Sequence, residues 1–300
     1  MKTNDSKTTP PAGVPGRVTF LDGRGDLPML EISTRWSTAE IYLHGAHVTH
    51  FKRHGEPPLL FLSQCSRFEP GRPIRGGAPI IFPWFGPREG VGQHGFVRNQ
   101  AWELKKILPA ADGGVSVRFR FPKCPEAAMF PSCLVEYVVT VNEELTLELI
   151  VTNLSASDPL EFENCLHTYF TVGDISAVSV TGLQGVSYLD NLANLATRVE
   201  PEKAIRFASE VDRVYFDTAA AVEIRDEKLG RVIRVEKDNS ASTVVWNPWI
   251  TKAQQMADFG DAEYRSMVCV ESGNVKSNKT ILPPGGSSTL KVKLSSAALK

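Results

Sequence analysis

Six side chains stand out for the chemistry that their types and settings allow. Arg75 and Arg98 lie 23 residues apart, each beside glycine or aromatic residues rather than in a charged run. His94 falls between them, in His94-Gly95-Phe96-Val97-Arg98. Two guanidinium groups and an imidazole beside an aromatic wall suit an anionic or polyhydroxyl ligand. The plainer reading is that these arginines pin a long loop to a sheet. Glu271, in MVCVESGNV, follows four mostly apolar residues and precedes Ser-Gly-Asn, where a strand should end. A carboxylate at the end of a buried strand is costly unless it is paired or used. His167, in FENCLHTYFTVGDI, has apolar and aromatic neighbours in a strand pattern and reads by itself as a satisfied core histidine. Asp212, in EVDRVYF, has an ordinary ion-pair explanation in Arg213. A glutamate and a histidine that met in one cleft would make a general base and a general acid. Spacing alone leaves open whether they meet.

His44, His47 and His50 look at first like a metal cluster. Their segment, AEIYLHGAHVTHF, reads as one strand with a glycine bulge, and a spacing of three puts neighbours on opposite faces. No metal site is expected there.

The arginines and His94 belong to PIRGGAPIIFPWFGPREGVGQHGFVRNQAWEL, residues 73–104. This stretch is too rich in Gly and Pro for a helix and too long for an ordinary loop. Arg75-Gly76-Gly77 would let backbone approach a ligand closely. The pattern is neither a P-loop nor a dinucleotide fingerprint, since it lacks their glycine spacing and any βαβ context. Around it, period-2 alternation dominates. VSVRFRF puts Val115, Val117, Phe119 and Phe121 on one face, and residues 135–151 read as two strands turning at Asn142-Glu143. TVVW (243–246), MVCVE (267–271) and TLKVKL (289–294) continue the theme. The best helical signal is NPWITKAQQMADFG, with Asn247 as cap, Pro248 in the first turn and Gly260 as the stop. These elements imply an all-β class, mostly antiparallel with few short helices, as one domain of two packed sheets over 18–298.

The 300 residues carry 33 basic and 34 acidic side chains, net −1, which argues against a nucleic-acid partner. No apolar run approaches bilayer-spanning length. Residues 1–17 lack the apolar core of a signal peptide and read as a disordered leader on a cytoplasmic protein. Five dispersed cysteines (Cys65, Cys124, Cys133, Cys165, Cys269), with no CxxC pair, fit reduced and mostly buried thiols. The Asn153 and Asn278 sequons read as chance matches.

Several motifs, in order, carry a family resemblance: RGGAPIIFPWFG, QHGFVR, LHTYFTVGDI, VVWNPW, MADFGDAEY and CVESGNV. From about residue 28 to 294 the chain resembles the hexose-6-phosphate mutarotases of the aldose 1-epimerase superfamily. The resemblance implies a β-supersandwich with a sugar cleft on one sheet. It implies His167 as general acid and Glu271 as general base for α/β anomer exchange of an aldohexose 6-phosphate, a small-molecule substrate. Arg75, His94 and Arg98 would contact the sugar and its phosphate, and Asp212 would lie near the anomeric end. Ser272 departs from the Pro or Ala of many relatives. Such chemistry calls for no metal, redox cofactor or covalent intermediate, and a monomer is expected. Two alternatives remain at this stage: a glycoside hydrolase using Glu271 and Asp212, and a non-catalytic module binding sugar or phosphosugar.

Overall fold

A computed structural model describes residues 17–110, 112–128 and 130–299. The expected leader lies outside these residues apart from Arg17, whose carbonyl accepts a hydrogen bond from Ser33 at 2.8 Å.

Alternation builds the larger sheet. In Val115–Arg120 the inward residues Val115, Val117 and Phe119 are fully buried, while Ser116, Arg118 and Arg120 stay partly exposed. Cys133–Val141 and Leu145–Asn153 form the expected hairpin, with Val141 opposite Leu145. These strands, Ser287–Ala298 and Arg231–Asp238 are the centre of a nine-stranded sheet. The eight-stranded sheet that packs with it has at its middle Val211–Tyr215, Ser242–Asn247, Met267–Asn274 and Asn164–Leu166. Every ladder between these strands is antiparallel. One apolar cluster joins Leu145, Leu147, Leu149 and Val292 of the first sheet to Val245, Val268 and Val270 of the second. Burying each such aliphatic side chain stabilises by about 1.5–3 kcal/mol.

Met267–Asn274 is buried along its whole length, on both faces. One face meets the other sheet, so a second layer must cover the opposite one. Residues 73–104 contribute much of that cover. Ile80–Ile81 pairs with Asn164–Leu166 as the edge of the smaller sheet. The chain then folds back through a short hairpin, Pro87–Arg88 with Gly92–Gln93, and a parallel bridge joins Phe82 to Gly95. Gly95 is obligatory there: its φ is +69°, and a Cβ would sit 1.8 Å from the Phe82 carbonyl oxygen.

Several local expectations change. The segment around His44 is two strands, Ser37–Tyr42 and His47–Arg53, joined by a turn at Gly45, rather than one bulged strand. The helix Trp249–Gln255 stops five residues before Gly260, because the Met256 N–H already bonds back to the Ala253 carbonyl and Met256 is extended. Asn247 does serve that helix, its side-chain oxygen accepting from the Trp249 N–H at 2.9 Å. Cys165 and Cys269 are buried, Cys124 and Cys133 half-buried and Cys65 exposed, so fewer thiols are buried than expected. Asn153 spends its amide on three backbone carbonyls inside the fold. Among the described residues no helix is long and apolar enough to cross a membrane.

Candidate active site

A cleft of about 350 Å³ opens on the smaller sheet, and all six residues singled out by sequence line it: Arg75, His94, Arg98, His167, Asp212 and Glu271. Glu271 projects from the middle of Met267–Asn274, not from its end, since Ser272, Gly273 and Asn274 continue the strand. His167 stands in the break between Asn164–Leu166 and Tyr169–Thr171, its backbone N–H held by the Pro79 carbonyl at 3.0 Å. That break turns the imidazole onto the carboxylate: His167 Nε2 lies 3.2 Å from Glu271 Oε1. The ring stacks on Tyr169 at 4.8 Å and meets Trp246 edge-on at 6.1 Å, which fixes its plane.

Burial dominates the electrostatics. It raises the Glu271 carboxyl well above the ordinary range, and Asp212 adds to the effect. Burial, then Arg98 and Arg75, lowers His167 to about 3. Both shifts favour the same arrangement at rest, a protonated carboxyl facing a neutral imidazole, with one proton between them. His94 is lowered to about 2 by burial, His167 and Arg98. It sits at φ +65° in the left-handed region, its Nδ1 accepting from the Gly86 N–H at 3.2 Å and its ring edge-on to Phe85 and His167. It is therefore a neutral polar wall rather than a cation.

The two arginines differ. Arg75 donates through Nε and Nη2 to Asp258 Oδ2 at 3.2 and 3.1 Å, and through Nη1 to the Tyr169 hydroxyl at 3.0 Å. Burial pulls its proton affinity down, but Tyr169 and Asp258 raise it by more. Arg98 donates through Nη2 to the Gln93 carbonyl, and its buried Nε has no partner among the described residues. Burial and Arg75 lower it to about 10, so it is a cation to which no carboxylate of the described residues is bonded. Gly76 and Gly77 are needed for approach to protein backbone, not to ligand. A Cβ on Gly76 would sit 2.5 Å from the Phe61 carbonyl oxygen, and one on Gly77 2.3 Å from that of Val48.

Asp212 does not pair with Arg213, which binds Glu200 at 2.8 Å from the other face of the strand. Asp212 instead accepts from Asn191 Nδ2 at 2.7 Å, and burial raises its pKa. His44 and His47 each use Nε2 on a loop carbonyl, of Arg72 and Gly76, at 2.7 Å. Donor atoms of His167, Cys269 and Glu271 do lie within 4.8 Å of one another. However, Cys269 is fully buried, burial keeps its thiol protonated, and two guanidinium charges act on the same pair. That environment opposes a cation. Sequence reasoning gave no role to Asp258, Tyr169, Trp246 or Asn191; the first three stand in MADFGDAEY, LHTYF and VVWNPW, but only contacts reveal what they do. The Ser272 hydroxyl is buried without a partner among the described residues.

The histidines make stability pH-dependent. His47, lowered to about 3 chiefly by burial, joins His94 and His167 as a group that resists protonation in the fold. A folded pKa below the unfolded one gives stability that is intact above about 6.5 and is lost as pH falls towards the folded value. His44 and His50 are lowered too, and Glu271 and Asp212 act with the opposite sign. Unfolding free energy should then fall between about pH 6 and 5, by about 1.4 kcal/mol per pH unit for each proton that the unfolded state binds in excess. Urea denaturation at stepped pH measures this; a flat midpoint from pH 7 to 5 would show that the three rings titrate normally.

Residues 28–295 match the aldose 1-epimerase family. The chain belongs to that family. It is 38% identical over 256 residues to a candidate glucose-6-phosphate 1-epimerase of Cenchrus ciliaris, covering 82% of this chain and 77% of the relative. A counterpart of the same name from Escherichia coli K12 is 34% identical over 249 residues, covering 82% and 83%. Among solved structures, a candidate mutarotase from Salmonella typhimurium superposes with TM-score 0.86 at 30% identity, covering 94% of each chain. A galactose mutarotase-like protein from Clostridium acetobutylicum, 20% identical, shares the fold with TM-score 0.73 over 94% of this chain and 98% of its own. The β-supersandwich of this epimerase family member thus agrees with the architecture expected from alternation and motif order.

Proposed function

We propose that this aldose 1-epimerase family member interconverts the α and β anomers of aldohexose 6-phosphates, glucose 6-phosphate first among them. The observation that carries the reading is the His167–Glu271 contact at 3.2 Å on the wall of a cleft that also holds a cation with unused donors, Arg98. The names of the relatives support the same substrate class.

Ring opening needs a base at the anomeric hydroxyl and an acid at the ring oxygen; reclosure needs the reverse. One proton serves both. With Glu271 ionised and His167 protonated, Glu271 takes the O1 proton while His167 protonates the ring oxygen, and the C1–C5-oxygen bond breaks. The aldehyde turns about C1–C2. His167, now neutral, then takes the C5 hydroxyl proton as Glu271 returns its proton to O1, and either face of C1 can close. The resting tautomer matches the reclosure half. Arg98 and Arg75 are the charges that hold His167 neutral after burial itself. A phosphate dianion against them cancels that push, so bound phosphosugar favours the imidazolium that opening requires.

Arg98 is the principal phosphate ligand in this reading, because Arg75 already has Asp258 as counter-ion. Arg98→Ala should weaken hexose 6-phosphate binding by roughly 10- to 150-fold, the worth of one charge-assisted contact, and barely alter binding of free hexose. Arg75→Ala should lower the melting temperature as well, since it leaves Asp258 unpaired. Calorimetric titration of both sugars into both variants checks this; equal losses for free and phosphorylated sugar would remove the phosphate assignment. The contact of Glu271 with His167, rather than with a second carboxylate, favours acid/base ring opening over hydrolysis by a carboxylate pair. Release of aryl alcohol from aryl glycosides would reverse that preference.

A further inference from the structure

Glu271 is anchored from a side that the ring-opening chemistry does not use. Its Oε1 faces His167, while its Oε2 accepts a hydrogen bond from the Cys165 thiol at 3.5 Å. Cys165 is fully buried in an apolar pocket with Ile81, Phe85, Val214, Val244 and Val275. Water has no access to compete for the carboxylate there, and among the described residues no other side chain donates a hydrogen bond to Glu271. The contact depends on close packing of two strands. Cys165 pairs with Gly273, where a Cβ would come within 2.3 Å of the Asn164 carbonyl oxygen and 2.8 Å of Cys165 Cα and Cβ. Glycine at 273 lets Asn164–Leu166 lie close enough for the thiol to reach across to residue 271, on the same face two positions along.

We propose that Cys165 is a positioning residue for Glu271: its thiol holds Oε2, directs Oε1 at His167 and the substrate, and favours the ionised carboxylate that acts as base. This rests on the acid/base reading above. The other charged or titratable groups around Glu271 are His167 from the strand break, Tyr169 from Tyr169–Thr171, Asp212 from Val211–Tyr215, Arg98 from the covering loop and Cys269 on its own strand. Lys237 and Glu163 act on Cys165 itself. Of these, Asp212 opposes ionisation of Glu271 and Arg98 favours it, so the thiol is a short-range aid to one distant cation.

The test compares Cys165→Ala and Cys165→Ser in anomer exchange of glucose 6-phosphate across pH. Loss of a donor to the charged form raises the carboxyl pKa, so the alkaline limb of kcat/KM, where the pair loses its one shared proton, should move up in Cys165→Ala by about half to one pH unit. Its kcat at neutral pH should fall roughly five-fold, with KM little changed. The serine hydroxyl also donates, so Cys165→Ser should keep the wild-type alkaline limb. An alanine variant with the wild-type limb and kcat would overturn the proposal, as would a serine variant that loses as much as alanine. Should the alanine variant not fold, the infrared S–H stretch decides the matter in otherwise intact protein. The Cys165 band, assigned by its loss in Cys165→Ser, should shift to higher frequency in Glu271→Leu, which removes the acceptor; an unmoved band overturns the proposal. Absence of any wild-type exchange would instead remove the functional reading, leaving the infrared comparison to judge the contact.

Discussion

Glu271→Gln is expected to lower anomer exchange by about 10²- to 10⁴-fold, the usual worth of a positioned general base. The amide keeps the size and shape of the side chain in a site with almost no exposure, so the strand and its neighbours should hold. Binding of hexose 6-phosphate should persist, because the phosphate and ring contacts come from other residues. The loss should therefore fall on kcat and not on affinity. The substitution also removes a buried ionisable group whose charged form burial disfavours. Thermal stability at neutral pH should for that reason be equal to or above that of the wild type. A variant with near-normal turnover would show that some other group is the base, with Asp212 the next carboxylate in the cleft.

His167→Asn is expected to reduce exchange by a similar factor, and the double variant to be scarcely worse than either single one. Acid and base exchange one proton across a 3.2 Å contact, so neither can complete a ring opening after the other is gone. If each loss is three orders of magnitude, independent action would make the double variant about a million-fold slower, while a coupled pair would leave it near a thousand-fold. Steady-state exchange rates of the four proteins settle the difference. Additive losses would mean that His167 supports the aromatic packing of Tyr169 and Trp246 rather than the proton transfer.

The strands were legible because alternation has a local cause: in Val115–Arg120 each inward residue is apolar and each outward one polar, whatever the strand packs against. Met267–Asn274 defeats the same logic. It is covered on both faces, so its polar residues no longer mark a surface, and Ser-Gly-Asn, which resembles a strand end, lies inside the strand. The helix stop was misplaced for a related reason, since a backbone bond at Met256 ends it before any glycine is reached. At the site, the six residues singled out in the sequence all line the cleft, but partners are a matter of three-dimensional contact. Arg213 is adjacent to Asp212 in sequence, yet neighbours on a strand point to opposite faces, and the ion pair goes to Glu200. Gly76-Gly77 looked like a ligand approach because glycine reports only that something comes close; here it is the backbone of Phe61 and Val48. Asp258, 183 residues from Arg75, has no sequence signal that would pair the two.

The most direct measurement is magnetisation transfer between the C1 resonances of α- and β-glucose 6-phosphate, with and without the protein, alongside free glucose and the 6-phosphates of galactose and mannose. Exchange should accelerate in proportion to enzyme concentration for at least one hexose 6-phosphate and far less for free glucose, and the acceleration should vanish with Glu271→Gln. Tight binding of these phosphosugars with no acceleration of any of them would contradict the epimerase reading and make the cleft a binding site without catalysis.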